Sequence, residues 1–533
     1  MKRRSDRGRL ILVGAGPGDP DLITVRGATA LGRADVALYD ELASDEILDL
    51  LPRHAERINV GKRGHDEPTW SQEAINELIA ERAGQGQVVV RLKGGDPFIF
   101  GRGGEEASAC VARGIPFEVV PGVSSALAAP AYAGIPLTDR RYSASFAVVT
   151  GHKDPGGAAT ATRWRDLARA ADTLVILMGM RNLRSLLDEI VAGGTPLETP
   201  AAAVMNGTRA EQRVELATLE TLADAVEAKG LGAPSVIVIG QVAALGETLS
   251  WWESSPLFGL GALVSRAPHQ ARELAAALRA AGAIPSFRPL IDLVAVEDPG
   301  ERGVIDTSLG RLADYDDLLF TSSNAVRFFL HHVERLGLES SLPGLNARIL
   351  CIGPSTARAV TAAGLPVHFM LSGGRGDADS MLSELLRSHP PTGRRVLIPR
   401  SDIARDVLSR GLAAAGAHVD AVTHYRNIRP EVDAAALGAD LIGGALPLLP
   451  FTSPSAVEHF AELLDEAARD ACQRCIISAI GTTTAAALES IGLPPQVVPE
   501  RPDVRGMVEA LENYVAKGRE AGSLPSGWGE KKK

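Results

Sequence analysis

Aromatic residues are scarce in this chain, 4% of 533 residues. Its cores must therefore be packed from alanine, leucine, valine and isoleucine. The alanine runs at Ala275–Leu278 and Ala485–Leu488 suit helices, since alanine has the lowest helix cost. Cysteine is scarcer still. Four cysteines cannot build a disulfide framework, so a reducing compartment, the cytoplasm, is expected. Cys472 and Cys475 form a C-x-x-C, but no second pair follows at a zinc spacing. Ordinary buried thiols and no metal are expected there. No apolar run reaches the roughly 18 residues that a membrane span needs. The basic start, MKRRSDRGRLILVGAG, has a short apolar run, Leu10–Val13, which reads as a first strand rather than a signal peptide. Positive charge is not in excess either. A net charge of −10 argues against nonspecific nucleic-acid binding, although local basic patches can still meet an anionic small molecule. The 55 glycines follow no three-residue period, which excludes a collagen.

What is present is ordinary globular chemistry, 45% apolar and 23% charged, long enough for three or four domains or two large ones. Short Leu- and β-branched runs alternate with Ala-rich stretches throughout: LILVGAG, DVALYD, VVVRLKGG, TLVILMG and SVIVIG, then GALVSRAP, DLLFTSS, RILCIGP, RVLIPRS and IISAIG. This alternation predicts an α/β protein with largely parallel sheets. Composition breaks at SWWESSPLFGLG, so residues 251–260 read as a linker between halves 9–250 and 261–515. Residues 516–533 read as a flexible tail.

The second half repeats itself imperfectly. LLFTSSNAVRFFL (318–330) resembles LLPFTSPSAVEHF (448–460), and LCIGPSTARAV (350–360) resembles SAIGTTTAAAL (478–488). Two copies predict two similar lobes. Each offers hydroxyls where strands end and helices begin, which is the chemistry of helix caps and of carboxylate receptors.

The loop ILVGAGPGDPDLITVRG (11–27) invites a dinucleotide-binding reading. Its chemistry disagrees: Asp19 stands where the G-x-G-x-x-G fingerprint needs its third glycine, and its charge would repel a pyrophosphate. Pro17 removes a backbone N–H. A cofactor without phosphates fits better. VVVRLKGGDPFIFGRGGEE (88–106) then places Gly94, Gly95, Asp96 and Pro97 at a strand end, where glycines let a ligand approach the backbone.

With VGAGPGDPDLITVRG, ADVALYDEL, INVGKR, VVRLKGGDPFIFGRGGEE, FEVVPGVSSALAAPAYAGIPLTDR, VVTGH, LVILMGM and NGT in order, residues 9–250 resemble uroporphyrinogen-III C-methyltransferase of the tetrapyrrole methylase family. The resemblance implies two α/β subdomains with S-adenosylmethionine between them, a homodimer through this half, and two methyl transfers to uroporphyrinogen III giving precorrin-2. It carries cofactor contacts onto Pro17, Gly94, Gly95, Asp96, Ile99, Ser124, Ser125, Met178 and Gly207. It carries acid–base roles onto Asp40 and Lys62. Arg102, Arg140 and Arg141 suit the substrate's carboxylates, because guanidinium pairs bidentately with them. His152 reads equally as structural or functional.

Residues 261–515 resemble uroporphyrinogen-III synthase through SRAPHQARELAAALRAAGA, FTSSNAV, CIGPSTARAV, IPRSDIARDVLSRGLAAAGAHVDAVTHYRN, FTSPSAV and AIGTTTAAAL. This implies two lobes on a two-stranded linker, the middle lobe spanning about 295–425. It also implies cyclisation of hydroxymethylbilane with inversion of its last ring, without a cofactor. Tyr425 takes the place of a tyrosine near the cleft that assists loss of the hydroxyl. Ser322, Ser323, Thr452, Ser453, Thr482 and Thr483 are the expected loop donors, with Arg266 and Arg400 for carboxylates. A non-catalytic two-lobed ligand-binding module would carry the same loops. A nicotinamide-dependent reading lacks its glycine fingerprint.

Overall fold

The computed structural model describes residues 8–40, 44–52, 54–61, 70–151, 162–371 and 378–524. Strands β1 (Arg9–Gly14), β2 (Val36–Tyr39), β3 (Glu56–Asn59), β4 (Val88–Lys93) and β5 (Phe117–Val120) form one sheet in the order β3-β2-β4-β1-β5. Every pairing in it is parallel. Both faces are covered, so Leu10, Leu12, Val36, Leu38 and Val89 are fully buried, as continuous apolar runs in a parallel sheet require.

Strands β6 (Phe146–Thr150), β7 (Thr173–Leu177), β8 (Pro200–Met205), β9 (Arg213–Thr218) and β10 (Ser235–Ile239) form a second sheet, ordered β6-β7-β10-β8-β9. Here the expectation of largely parallel strands fails. Only β6 and β7 run parallel; β10 is antiparallel to both neighbours, and β8 pairs antiparallel with β9. The reason is local. No helix intervenes between β8 and β9, and without a crossover the chain can only turn back on itself.

In the second half, β11 (Gly261–Val264) and β12 (Ile284–Phe287) precede the middle lobe. The middle lobe holds β13 (Asp292–Ala295), β14 (Asp317–Phe320), β15 (Arg348–Cys351), β16 (Phe369–Met370), β17 (Arg395–Ser401) and β18 (His418–Ile428). Then β19 (Leu448–Phe451) and β20 (Ile476–Ala479) complete the outer sheet, β12-β11-β19-β20. The middle sheet runs β13-β18-β17-β14-β15-β16. Its first pair is antiparallel, Asp292 opposite Ile428 and Ala295 opposite Tyr425, so the chain enters and leaves this lobe along neighbouring strands. At the foot of the sheet Asp317 of β14 bridges Arg348 and Arg394, with Arg348 Nε to Asp317 Oδ1 at 2.6 Å and Arg394 Nε to Asp317 Oδ2 at 2.6 Å. Burial alone would raise the Asp317 pKa; the two guanidinium groups overcome it and hold it low.

The sequence repeat is a repeat of structure. Ser322 and Ser453 each follow a strand and cap a helix, their hydroxyls accepting from Ala325 N at 3.0 Å and Ala456 N at 3.3 Å. Their backbones match, φ −160° ψ 158° against φ −156° ψ 151°. Gly353 and Gly481 are the second matching pair, at φ −172° and −171°.

One expectation needs correction. The chain is helical from Val504 to Ala521, so a flexible tail does not begin at 516. That helix buries Val504, Met507, Val508, Leu511 and Val515 against Leu274 and Leu278, burial that outweighs its charged outer face. The 251–260 connector is packed: Trp252 is 6% exposed and Leu257 fully buried. The four cysteines are buried and free, and burial raises Cys472 to about 12 and Cys475 to about 11.

His424 of β18 is fully buried, its Nδ1 3.0 Å from the Val422 carbonyl oxygen. Burial lowers its pKa to about 4, and burial also lowers that of His332, whose ring stands 5.5 Å away. Above the ordinary value of about 6.5 both folded and unfolded states hold neutral rings. Between 6.5 and 4 only the unfolded chain binds the proton, so stability falls as pH falls through that window, for His424 by about 2 kcal/mol at pH 5 and about 3 kcal/mol by pH 4. Thermal unfolding of wild type at pH 8 and pH 5 is expected to show this loss, and His424→Gln to show a smaller one.

Candidate functional site

The ends of β1, β4 and β5 meet in a seam that has no room for side chains. A Cβ on Gly14 would lie 2.5 Å from Gly122 Cα, and one on Gly122 would lie 2.3 Å from the Gly95 carbonyl oxygen. Gly95 adopts φ +67°, a left-handed conformation that costs glycine nothing. Gly16 and Gly95 exchange backbone hydrogen bonds, Gly95 N to Gly16 O at 2.7 Å and Gly16 N to Gly95 O at 3.3 Å. Asp96 braces this seam. Its Oδ2 accepts from Gly122 N at 3.0 Å and its Oδ1 from Phe98 N at 2.8 Å. Its carboxylate thus serves the loop's own backbone. Ser124 caps the helix Ser125–Tyr132, Ala126 N donating to its Oγ at 3.3 Å.

Loops from the second sheet close on the same place. Asp19 N donates to Thr208 Oγ1 at 3.1 Å, and a Cβ on Gly207 would lie 2.3 Å from Ala129 Cβ. The non-glycine residues at positive φ among the described residues are Phe100, Arg102, Met178, Asn206 and Thr208. All follow β4, β7 or β8. Strain of this kind costs about 1–3 kcal/mol per residue and concentrates at ligand sites. Met178 and Ile99 are half exposed there, and Pro17 is partly buried.

Beside the seam lies a cluster of charges that sequence reasoning missed. Arg91 and Lys93 of β4 are buried, and both donate to Glu106 Oε1, at 3.2 and 2.9 Å. Arg91 also reaches Asp40 Oδ2 at 3.5 Å. Burial, and then the Arg91 charge, lower the Lys93 pKa, while Glu106 opposes them. Two cations inside the apolar strand VVVRLK were the available signal, because such charges require a buried partner.

The other expected residues are dispersed. Lys62 and His152 lie outside the described residues. Arg102 pairs with Glu105 at 2.7 Å. Arg141 grips Asp139 with two hydrogen bonds, at 2.9 and 3.0 Å, which holds the Asp139 pKa down to about 2. Arg140 is exposed.

In the second half, Tyr425 is nearly buried and stacks on Phe328 with centroids 4.7 Å apart. Its hydroxyl lies 3.2 Å from Ser322 Oγ, so it reaches the cap at the end of β14. Burial raises its pKa, with Ser322 and Ser401 opposing; the phenol stays protonated at neutral pH. Thr482 and Thr483 are exposed on the first turn of their helix, and Gly481 is its cap with no side-chain bond. The expectation that both loops of a lobe cap through hydroxyls therefore holds only for Ser322 and Ser453. Ser323 and Thr452, beside those caps, are partly buried. Arg400 pairs with Asp406 at 2.5 Å. Arg266 is largely buried, 3.7 Å from Glu273, and burial lowers its pKa.

These are two bilobed α/β halves, each with its polar loops at strand ends. The pattern of the tetrapyrrole (corrin/porphyrin) methylases matches residues 9–223, and that of uroporphyrinogen-III synthase HemD matches residues 272–509. A porphyrin biosynthesis protein HemD of Ruminiclostridium josui is 35% identical over 95% of this chain and 98% of its own length. The S-adenosyl-L-methionine-dependent uroporphyrinogen III methyltransferase of Methanosarcina barkeri is 46% identical over 45% of this chain and 94% of its own length. A siroheme synthase of Pseudomonas aeruginosa is 48% identical, but the match spans 46% of this chain and only 53% of that protein. The chain belongs to the family of porphyrin-biosynthesis enzymes that join a tetrapyrrole methylase to a uroporphyrinogen-III synthase.

Glu106→Gln is expected to leave Arg91 and Lys93 short of a buried counter-charge and to destabilise the first half by about 3 kcal/mol. Glu105→Gln, which removes an exposed pair, is expected to cost less than about 1 kcal/mol. Urea unfolding of the two variants checks the contrast.

Proposed function

We propose that the chain converts hydroxymethylbilane to uroporphyrinogen III in its second half and methylates that product twice in its first, giving precorrin-2. The observation that carries this reading is the presence of both family patterns on one chain. The product of one half is then the substrate of the other.

The methylase-family match implies S-adenosylmethionine, and the cleft fits it. The glycine seam presents backbone in place of side chains, Asp19 disfavours a phosphate, and half-exposed Met178 and Ile99 offer apolar surface for an adenine. Pro17, Gly94, Gly95, Asp96, Ser124, Ser125 and Gly207 would complete the holding set, Asp96 by bracing the loop. When bound, the cofactor supplies an electrophilic methyl on a sulfonium. The residues around it contribute position, which is the larger part of such a transfer. Asp40 is the group we assign to taking the proton that the methylated ring must lose, and Arg91 orients it. Lys62 is assigned a partner role on the sequence resemblance alone. Arg102, Arg140 and Arg141 are assigned to carboxylates of the tetrapyrrole; Arg102 and Arg141 would exchange an internal partner for a substrate one.

In the second half, Tyr425 is a protonated donor within reach of Ser322. We assign it to donating a hydrogen bond to the departing hydroxyl. The capped helix starts at Ser322 and Ser453, with Ser323, Thr452, Thr482, Thr483, Arg266 and Arg400, would hold the polyanion while its last ring turns. A homodimer through the methylase half belongs to the same reading.

Purified protein given hydroxymethylbilane and S-adenosylmethionine is expected to form precorrin-2, identified by absorbance and mass. Accumulation of unmethylated uroporphyrinogen I would overturn the second-half assignment and favour a binding module. Tyr425→Phe should slow ring closure at least about tenfold and leave methylation of supplied uroporphyrinogen III unchanged. Gly122→Ala, whose Cβ would meet the Gly95 carbonyl oxygen at 2.3 Å, should have the opposite profile, with methylation lost and ring closure retained.

A further inference from the structure

The connector between the halves carries two of the chain's five tryptophans, side by side at 251 and 252. Their indoles donate backward into the first half, Trp251 Nε1 to the Ala131 carbonyl at 3.0 Å and Trp252 Nε1 to the Arg209 carbonyl at 3.1 Å. Both rings pack on Tyr132, with centroids 5.0 and 5.3 Å away. The Tyr132 hydroxyl in turn donates to Asp19 Oδ2 at 2.8 Å. Asp19 ends the first glycine-rich loop. Its Oδ1 accepts from Asp21 N at 3.0 Å, and its own N–H is the group that reaches Thr208. One run of contacts therefore leads from the connector, through a single phenol, to loops of both sheets that border the cleft.

The connector is held equally by the second half. Leu257 is fully buried in that half's core. Gly259 N donates to the Gly282 carbonyl at 2.9 Å, and Phe258 stands edge-on to Trp252 at 6.1 Å. Two ion pairs also join the halves: Arg272 with Asp49 at 3.1 Å, and Arg279 with Glu46. Trp252 is thus held from the second-half side as well.

We infer that Tyr132 is a positioning residue for the Gly16–Asp19 loop and that the Trp251–Trp252 connector sets it, so the first half's affinity for its methyl donor depends on its junction with the second. A glycine-rich loop loses more conformational freedom on ordering than any other. A loop already held by Tyr132 and Thr208 does not incur that loss when ligand arrives, and affinity rises accordingly. Burial, and then the hydrogen bond to Asp19, raise the phenol's pKa, so it remains a donor at physiological pH. The inference rests on the reading that S-adenosylmethionine lies against this loop.

The test uses the full chain, with S-adenosylhomocysteine binding by calorimetry and methylation kinetics on uroporphyrinogen III. Tyr132→Phe keeps the ring packed and removes only the hydroxyl. It should raise the Kd for S-adenosylhomocysteine and the KM for S-adenosylmethionine by about three- to tenfold, in proportion to one lost charge-assisted hydrogen bond. The kcat, the KM for the tetrapyrrole and ring closure should hold. Trp251→Ala should shift the same two constants, and Trp251→Phe should restore them in part. Wild-type protein that fails to bind S-adenosylhomocysteine overturns the reading of the cleft and this inference with it. Wild-type binding with unchanged constants in Tyr132→Phe or Trp251→Ala overturns the inference alone. A fall in kcat and melting temperature at unchanged affinity also overturns it, since that marks a merely structural role.

Discussion

A parallel strand that runs into a helix gathers unpaired polar groups at one end of the sheet. The strand's last carbonyls and the helix's first N–H groups face the same space, and neither can be satisfied by the regular structure. Both halves of this chain are built on that constraint and meet it differently. In the first half, the backbone closes on itself: Gly16 and Gly95 bond each other, and Asp96 spends both oxygens on neighbouring N–H groups. In the second half, hydroxyls do the work at Ser322 and Ser453, while Gly353 and Gly481 leave their helix starts open. The first solution gives a narrow seam with a fixed shape. The second gives donors that a carboxylate can share.

Charge is handled by the same division of labour. The net charge of −10 says little about the strand-end loops of either half, because the charges near them are paired locally. Arg91, Lys93 and Glu106 form a buried cluster that ends at Asp40. Asp317 draws two arginines across three strands of the middle lobe. Pairs of this kind contribute little net energy, but they make any other register expensive by stranding a charge in the core. Arg141 and Arg400, by contrast, hold partners that remain partly accessible.

Much of the architecture was legible because it rests on local signals. Apolar runs marked most strands, and the glycine loops marked where strands end. The FTSSNAV and FTSPSAV copies fold to nearly the same backbone angles. What was not legible depends on distant partners. Nothing near β10 announces that it runs against both neighbours, since direction follows from connections. Thr482 and Thr483 looked like caps because hydroxyls favour that place, yet Gly481 already occupies it. The link from Tyr132 to Asp19 spans 113 positions, and no periodicity carries such a contact. The tryptophan pair in the connector was its one visible trace. The tail was misjudged at its start, because the apolar stripe of the last helix continues through Val515 into what composition alone marks as solvated.

The interrupted layout of the second half has a consequence for how the chain is made. The outer sheet pairs β11 with β19, Ala262 beside Leu448, and the whole middle lobe lies between them in sequence. Its core is then closed by the helix Val504–Ala521, near the end of the described chain. During synthesis from the N-terminus, the first half and the middle lobe each have every strand of their sheets in hand well before the outer lobe does. For most of that time β11 has β12 on one edge and nothing on the other, where β19 will pair, and Leu263 lacks most of the core it later joins. Trp251, Trp252 and Leu257 lie directly upstream, so the connector can already be seated on the finished first half while it waits. The junction then acts as an anchor for a nascent sheet, keeping its one open hydrophobic edge from finding a neighbour on another chain.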